Sequence, residues 1–181
     1  MKKIHLLFFI SSFLFLAACA TRNNKESAAQ ANAKGIEWIS IAELQEKAAK
    51  NPKKVIIDLY TDWCGWCKRL DADTFSDEAV IKYVNKNYYA VKFNAEQKED
   101  ILFLDKNYSF VNAGRRGYNQ LAYTLGGGRL SYPTIAFLDE KLNRINSFSG
   151  YKTTEQLLPI LHYVAENAYR KQSLDEYNKE H

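Results

Sequence analysis

Only three cysteines occur in the 181 residues, Cys19, Cys64 and Cys67. That is too few for the disulfide framework of a small secreted domain. There is a single C-x-x-C pair, and beyond the N-terminal segment the histidines are His162 and His181, so one chain does not supply the four ligands of a structural zinc site. Charge of one sign is also missing. The 25 Lys and Arg face 21 Asp and Glu for a net +4, and two of the positive charges are Lys2 and Lys3. Without a basic run, nothing points to nucleic acid as a partner. The glycine run Gly126-Gly127-Gly128 lacks G-x-G-x-x-G spacing and a following Lys-Ser/Thr, so it is expected to be a hinge rather than a phosphate loop. What is abundant is apolar and aromatic: 46% hydrophobic residues, with 12 tyrosines and 10 phenylalanines. That supply is enough for a packed core without covalent staples.

The N-terminus carries the clearest targeting pattern. Lys2 and Lys3 precede an apolar stretch, Ile4 to Ala18, broken only by His5, Ser11 and Ser12. The stretch is shorter than the about 20 residues of a spanning helix, and residues 1–18 are expected to be a secretory signal peptide. Its end, Leu16-Ala17-Ala18-Cys19, resembles the lipobox of bacterial lipoproteins. That resemblance implies cleavage before Cys19, lipid attachment to its sulfur and a membrane anchor in the cell envelope, facing the periplasm. The other reading is a plain signal peptide with Cys19 incidental. Residues 19–35 are small and polar without apolar periodicity, and are expected to form a lipid-anchored flexible tether.

From residue 36 the pattern becomes that of a folded domain, expected to span 36–169. Ile36 to Ile39 is a short strand or lead-in. Ser40 and Glu43 have capping-box spacing, and Ile41, Leu44 and Ala48 follow at helical spacing until Asn51-Pro52. Val55 to Tyr60 is apolar without alternation, as in a strand buried on both faces. A helix is expected from the Cys64-Cys67 motif to about Asp73, and another after Ser76-Asp77. Strands are expected over Tyr88 to Phe93, Thr134 to Leu138 and Asn143 to Ser149. A final helix starts at Thr153-Thr154-Glu155, with Pro159 either kinking it or delaying its start. Residues 170–181 are polar and expected to fray. This order implies an α/β fold with a central mixed sheet flanked by helices.

The single C-x-x-C falls between a buried strand and a helix, and that position is chemically informative. A thiolate is the attacking form of cysteine, and a helix N-terminus stabilises its charge. Cys64 is placed to attack a disulfide. Cys67, one turn deeper, is placed to resolve the mixed disulfide. Gly65 leaves a close approach open, and Trp66 adds surface beside the sulfur. Asp58, a lone carboxylate within the apolar strand, is expected to have a raised pKa suited to a base near neutrality, unless it lies on an edge facing water.

The run from Val55 to Lys68, with Asp58, Trp63 and Cys64-Gly65-Trp66-Cys67-Lys68, closely resembles the active-site strand and helix of the thioredoxin superfamily. Tyr132-Pro133-Thr134 resembles its second hallmark, a cis-proline facing the cysteine pair. The resemblance implies a thioredoxin fold, proton transfer by Asp58 at Cys67, and substrate contacts from Trp63, Tyr132 and the backbone around Pro133. Trp63 reads equally as a plain core aromatic, and Lys68 either favours the thiolate or is merely solvated. Trp66, where the superfamily usually has proline, looks like periplasmic and lipoprotein reductases. The function implied is reduction of disulfides in exported proteins, with electrons from a membrane thiol donor and no cofactor. The rivals are a disulfide oxidase or isomerase, a non-enzymatic docking protein, and, more weakly, a metallochaperone. Between Asn94 and Tyr132 lies an insertion, about residues 97–130, expected to be helical. It serves either as a lid or docking surface, or as an added layer of core.

Overall fold

The computed structural model describes residues 35–181. The signal-peptide and Cys19 lipid-attachment expectations, and the tether through residue 34, lie outside the described residues. Strand β1 (Trp38–Ile39) leads into helix α1 (Ile41–Lys50), where the Ser40–Glu43 capping box forms as expected. Strand β2 (Lys54–Tyr60) follows, then α2 (Gly65–Arg69), which continues as a π-type turn over Leu70–Thr74. Helix α3 (Glu78–Asn87), capped by the Asp77 carboxylate, leads into β3 (Tyr88–Asn94). Strands β8 (Thr134–Leu138) and β9 (Arg144–Ser149) and helix α5 (Thr154–Ala165) complete the frame. Pro159 sits inside α5 without delaying its start.

The five-stranded sheet runs β1-β3-β2-β8-β9, with β1, β3 and β2 parallel, β8 antiparallel to β2, and β9 antiparallel to β8. β2 is central, which is why it is apolar on both faces apart from Lys54 and Asp58: alternate residues feed two separate cores. Val55, Ile57 and Leu59 pack with Ile41, Leu44 and Ala48 on one face. Ile56 packs on the other face with Leu70, Val80, Val84, Leu157 and Leu161. Asp58 shares that second face, where Lys92 links it to Asp71 in the π-type turn that continues α2.

Two segments depart from the sequence expectation. The insertion does contain a helix, α4 (Gln120–Leu125), but most of its ordered structure is two hairpins. These are β4 (Ile101–Phe103) with β5 (Lys106–Tyr108), and β6 (Phe110–Val111) with β7 (Tyr118–Asn119). Leu121, Ala122 and Leu125 extend the first core, together with Phe103 and Tyr108. The end of the chain does not fray as expected. α6 (Leu174–Glu180) has its own Ser173–Glu176 capping box and buries Tyr177 against α5, where the Tyr177 hydroxyl donates to Glu166 at 2.8 Å. Burying one aromatic ring outweighs the fraying expected of a short polar helix.

Asn119 ties the insertion to the sheet. It is fully buried, its amide nitrogen donates to the Glu99 and Tyr108 carbonyls at 3.1 and 3.4 Å, and its carbonyl oxygen caps α4 through Leu121 N–H at 2.9 Å. Its backbone N–H donates to Ala95 just past β3. Asn119→Ala is expected to destabilise the protein by about 2–3 kcal/mol, from a lost cap and stranded buried carbonyls. Gln120→Ala removes an exposed contact to Ser109 and is expected to cost under about 0.5 kcal/mol. Urea midpoints of the two variants check the difference.

Candidate active site

β2 ends at Tyr60, and Thr61-Asp62-Trp63 turns the chain so that Cys64 becomes the N-cap of α2. The turn is closed by Cys64 N–H donating to the Thr61 carbonyl at 3.1 Å. Cys64 Sγ in turn accepts the Cys67 backbone N–H at 3.0 Å. The sulfur therefore occupies the position of a Ser or Asp cap, where unpaired helix N–H groups favour negative charge. Cys64 and Cys67 are joined as a disulfide, with Cα atoms 5.3 Å apart. Both are buried, Cys64 at 4% exposure, whereas Gly65 and Trp66 beside them are exposed. A Cβ placed at Gly65 would meet no atom beyond its neighbouring residues within 4 Å, so nothing from the rest of the fold covers the chain at that position. Lys68 is also exposed.

Asp58 lies on the central strand at 0% exposure, not at an edge facing water. Burial pushes its pKa up to about 6, against the charge and hydrogen bond of Lys92 and with some help from Asp71. Lys92 stands opposite Asp58 in the β2–β3 register, and its Nζ donates to Asp58 Oδ2 at 2.9 Å. The same ammonium also pairs with Asp71, which follows Leu70 in the π-type turn. Burial works against the charge of Lys92, but the two carboxylates outweigh it and hold its pKa above the ordinary value. Asp58 Oδ1 is buried with no hydrogen-bond partner. That oxygen is an acceptor held ready inside the protein, while the other carboxylate oxygen, Oδ2, is linked through Lys92 to half-exposed Asp71. Neither residue was expected from the sequence: a lone Lys in a strand and an Asp in a helix carry no signal until the register pairs them.

The Tyr132–Pro133 peptide is cis, as the sequence resemblance implies. Trp66, Tyr132, Pro133, Gly150 and Tyr151 line a largely apolar groove of about 270 Å³. Tyr151 leans on Trp66 at 5.6 Å between ring centroids, and its hydroxyl donates to Asp73, itself paired with Arg69 on α2. Burial, with Glu96 nearby, raises the Tyr132 pKa to about 12, so the ring remains a neutral phenol. Trp63 is not a core aromatic but is 51% exposed. Its Nε1 donates to Glu96 at 2.9 Å, its ring meets Tyr132 edge-on, and the Arg116 guanidinium sits 3.8 Å from its centroid. The structure thus gathers Cys64, Cys67, Gly65, Trp63, Trp66, Tyr132 and Pro133 on one surface, with Asp58 buried beneath. Gly150, Tyr151, Glu96 and Arg116 are additions the sequence did not announce. Among the described residues, no group of three or more His, Cys, Asp or Glu side chains is placed to hold a metal ion. No helix among them is long and apolar enough to cross a membrane.

Comparison with known proteins gives a consistent picture. The family model described as a thioredoxin-like domain matches residues 41–165. A thiol:disulfide interchange protein DsbD of Pectobacterium atrosepticum is 33% identical over 119 residues, covering 65% of this chain and 17% of that protein. DsbD of Pasteurella multocida is 50% identical over 103 residues, covering 56% of this chain and 15% of its own length. The chain thus spans under a fifth of the length of these two relatives. Among solved structures, a thioredoxin-fold protein from Helicobacter pylori superposes with a TM-score of 0.55 at 20% identity, covering 72% of this chain and 80% of that one. The oxidoreductase DsbH superposes at 0.53 with 14% identity, covering 83% and 94%. At these identities the structural likeness establishes the fold.

Proposed function

The chain belongs to the thioredoxin-like domain family, and on that premise we propose that it is a thiol–disulfide oxidoreductase that reduces disulfides in exported proteins. The observation that carries the reading is the placement of Cys64 Sγ as the cap of α2, accepting the Cys67 N–H at 3.0 Å. A helix N-cap lowers the thiol pKa, and a low-pKa sulfur serves both as attacking group and as leaving group. The relatives named interchange proteins support the same chemistry.

The cycle starts from the reduced dithiol. Cys64 thiolate attacks one sulfur of the substrate disulfide, forming a mixed disulfide and expelling the first substrate thiolate, which takes a proton from water. The Cys67 thiol then passes its proton to the Asp58 carboxylate and attacks the Cys64 sulfur. The Cys64–Cys67 disulfide forms, the second substrate thiolate leaves, and two electrons have moved to the substrate. Asp58 serves as the base because its pKa of about 6 leaves it ionised at neutral pH yet basic enough to accept a proton. Lys92 and Asp71 return that proton to solvent. A dithiol carrier in the membrane restores the reduced pair, so no cofactor is needed. The substrate chain lies along the groove beside Pro133, with Trp63 and Trp66 on either side of Tyr132. The N-terminal pattern supports export as a lipoprotein anchored through Cys19, residues 19–35 serving as tether.

Equilibration of the full chain with glutathione or dithiothreitol buffers tests the direction. A midpoint near about −270 mV is expected for a reductant, whereas one near about −120 to −180 mV would reassign the protein as an oxidant or isomerase. Absence of any redox transition would return the docking-protein reading to first place.

A further inference from the structure

The tip between β6 and β7 carries two adjacent arginines that the exchange chemistry does not use. Its shape is set by two glycines. Gly114 has φ +68°, a left-handed conformation, and Gly117 leaves no room for a side chain, since a Cβ there would stand 2.1 Å from the Phe110 ring and 2.4 Å from the Val111 carbonyl oxygen. The tip so formed lays the Arg116 guanidinium 3.8 Å from the Trp63 ring centroid. Trp63 directly precedes Cys64 and is itself fixed by Glu96 and Tyr132. A cation is therefore held by a cation–π contact against the residue that precedes Cys64.

Stacking uses the face of a guanidinium and leaves its N–H edges, the part that grips a carboxylate in bidentate fashion. Both arginines are exposed, and the ion pairs of the described residues, Lys54–Glu140, Arg69–Asp73, Lys92–Asp58, Lys92–Asp71 and His162–Glu166, include neither of them. The neighbouring acidic groups are otherwise engaged: Glu96 accepts from the Trp63 indole, and Asp62 accepts from the Asn94 amide at 3.2 Å. Tyr132 links the two halves of the surface, touching Trp63 on one side and lining the Trp66–Tyr151 groove on the other. A polypeptide crossing Tyr132 meets an apolar groove on one flank and an unspent guanidinium on the other.

We infer that Arg116, with Arg115 beside it, selects substrates by receiving the carboxylate of an acidic residue that flanks the reactive cysteine of a disulfide-bearing polypeptide. The inference rests on the exchange activity proposed above and assigns one arm of the insertion as a specificity element. Arg116 contributes no bond-making step.

Three peptide disulfides identical except for Glu, Gln or Lys beside the attacked cysteine test it, offered to the full-length chain after reduction. The expected order of kcat/KM is Glu above Gln above Lys, about fivefold between the extremes at low salt, carried mainly by KM and shrinking at high salt. Arg116→Glu is expected to invert the order and Arg116→Lys to keep it. Gly117→Ala, which displaces the tip without removing charge, is expected to flatten it and alter Trp63 fluorescence. Turnover of all three peptides at equal rates by the unsubstituted protein would overturn the inference and leave the exchange activity standing. The same rate change for all three in Arg116→Glu would also overturn it, pointing to an effect on the Cys64 thiolate. Failure to turn over any peptide would remove the activity itself, and the inference with it.

Discussion

Replacing Cys64 by serine is expected to lower disulfide turnover on the order of a thousandfold or more, whereas replacing Cys67 is expected to stop the reaction halfway. The difference follows from where the two sulfurs sit. Cys64 is the helix cap, between the exposed side chains of Trp63 and Trp66 in sequence, and a nucleophile cannot be deleted without losing the step it performs. Cys67 is one turn deeper and buried. It takes part only after the substrate is attached. Cys67→Ser therefore still attacks once, and the substrate remains bound through the Cys64 sulfur. Mass spectrometry under non-reducing conditions reads the adduct, and dithiothreitol removes it. Stable adducts on Cys64→Ser with none on Cys67→Ser would reverse the two roles.

Asp58→Asn is expected to make the protein slower and more stable at once. The carboxyl of Asp58 is pushed from an ordinary 3.8 to about 6 by burial. An acid whose pKa is higher in the folded state favours folding when protonated, so its contribution is complete below about pH 3.8 and is lost as the pH rises through about 6. Above pH 6 the folded protein holds a buried carboxylate at a net cost on the order of 3 kcal/mol, with the help of Lys92 already included. The amide removes the charge at nearly constant volume. A gain of about 1–3 kcal/mol is expected at pH 8, vanishing near pH 4, in urea titrations across that range. Turnover is expected to fall about a hundredfold near neutrality and to lose its rise through pH 6. A variant less stable than the parent at pH 8 would show that the pairing of the Asp58 carboxylate with Lys92 outweighs its burial. A rise through pH 6 that survives the substitution would assign the base elsewhere.

The central strand, the capped helices and the cysteine pair were legible in the sequence because each depends on neighbours in the chain. Ser40–Glu43 and Asp77 announce helices locally, and the run Val55–Tyr60, apolar on both faces except at Asp58, announces a strand with two buried faces. The insertion was less legible. β4 and β5 are three residues each, too short to show alternation, and their turn puts Leu104 and Asp105 at φ 49° and 59°, where glycine or asparagine is the usual signal. The C-terminal helix was overlooked although Ser173–Glu176 spells a capping box; its polar composition masked the one buried ring, Tyr177. Lys92 and Arg116 had no local signal at all. Lys92 acquires meaning only from register across two strands, and Arg116 only from the fold of a tip far along the chain from Trp63.

The insertion is rooted at Asn119, through bonds to Ala95, Glu99 and Tyr108, while its arginines sit at the far end of a hairpin. Stability and selectivity therefore reside in different residues. Substitutions at 112, 113, 115 and 116 leave both the root and the left-handed Gly114 in place, so the polypeptides accepted can change while the dithiol stays the same. The fold offers evolution, and the engineer, a site for retargeting that leaves the redox centre untouched.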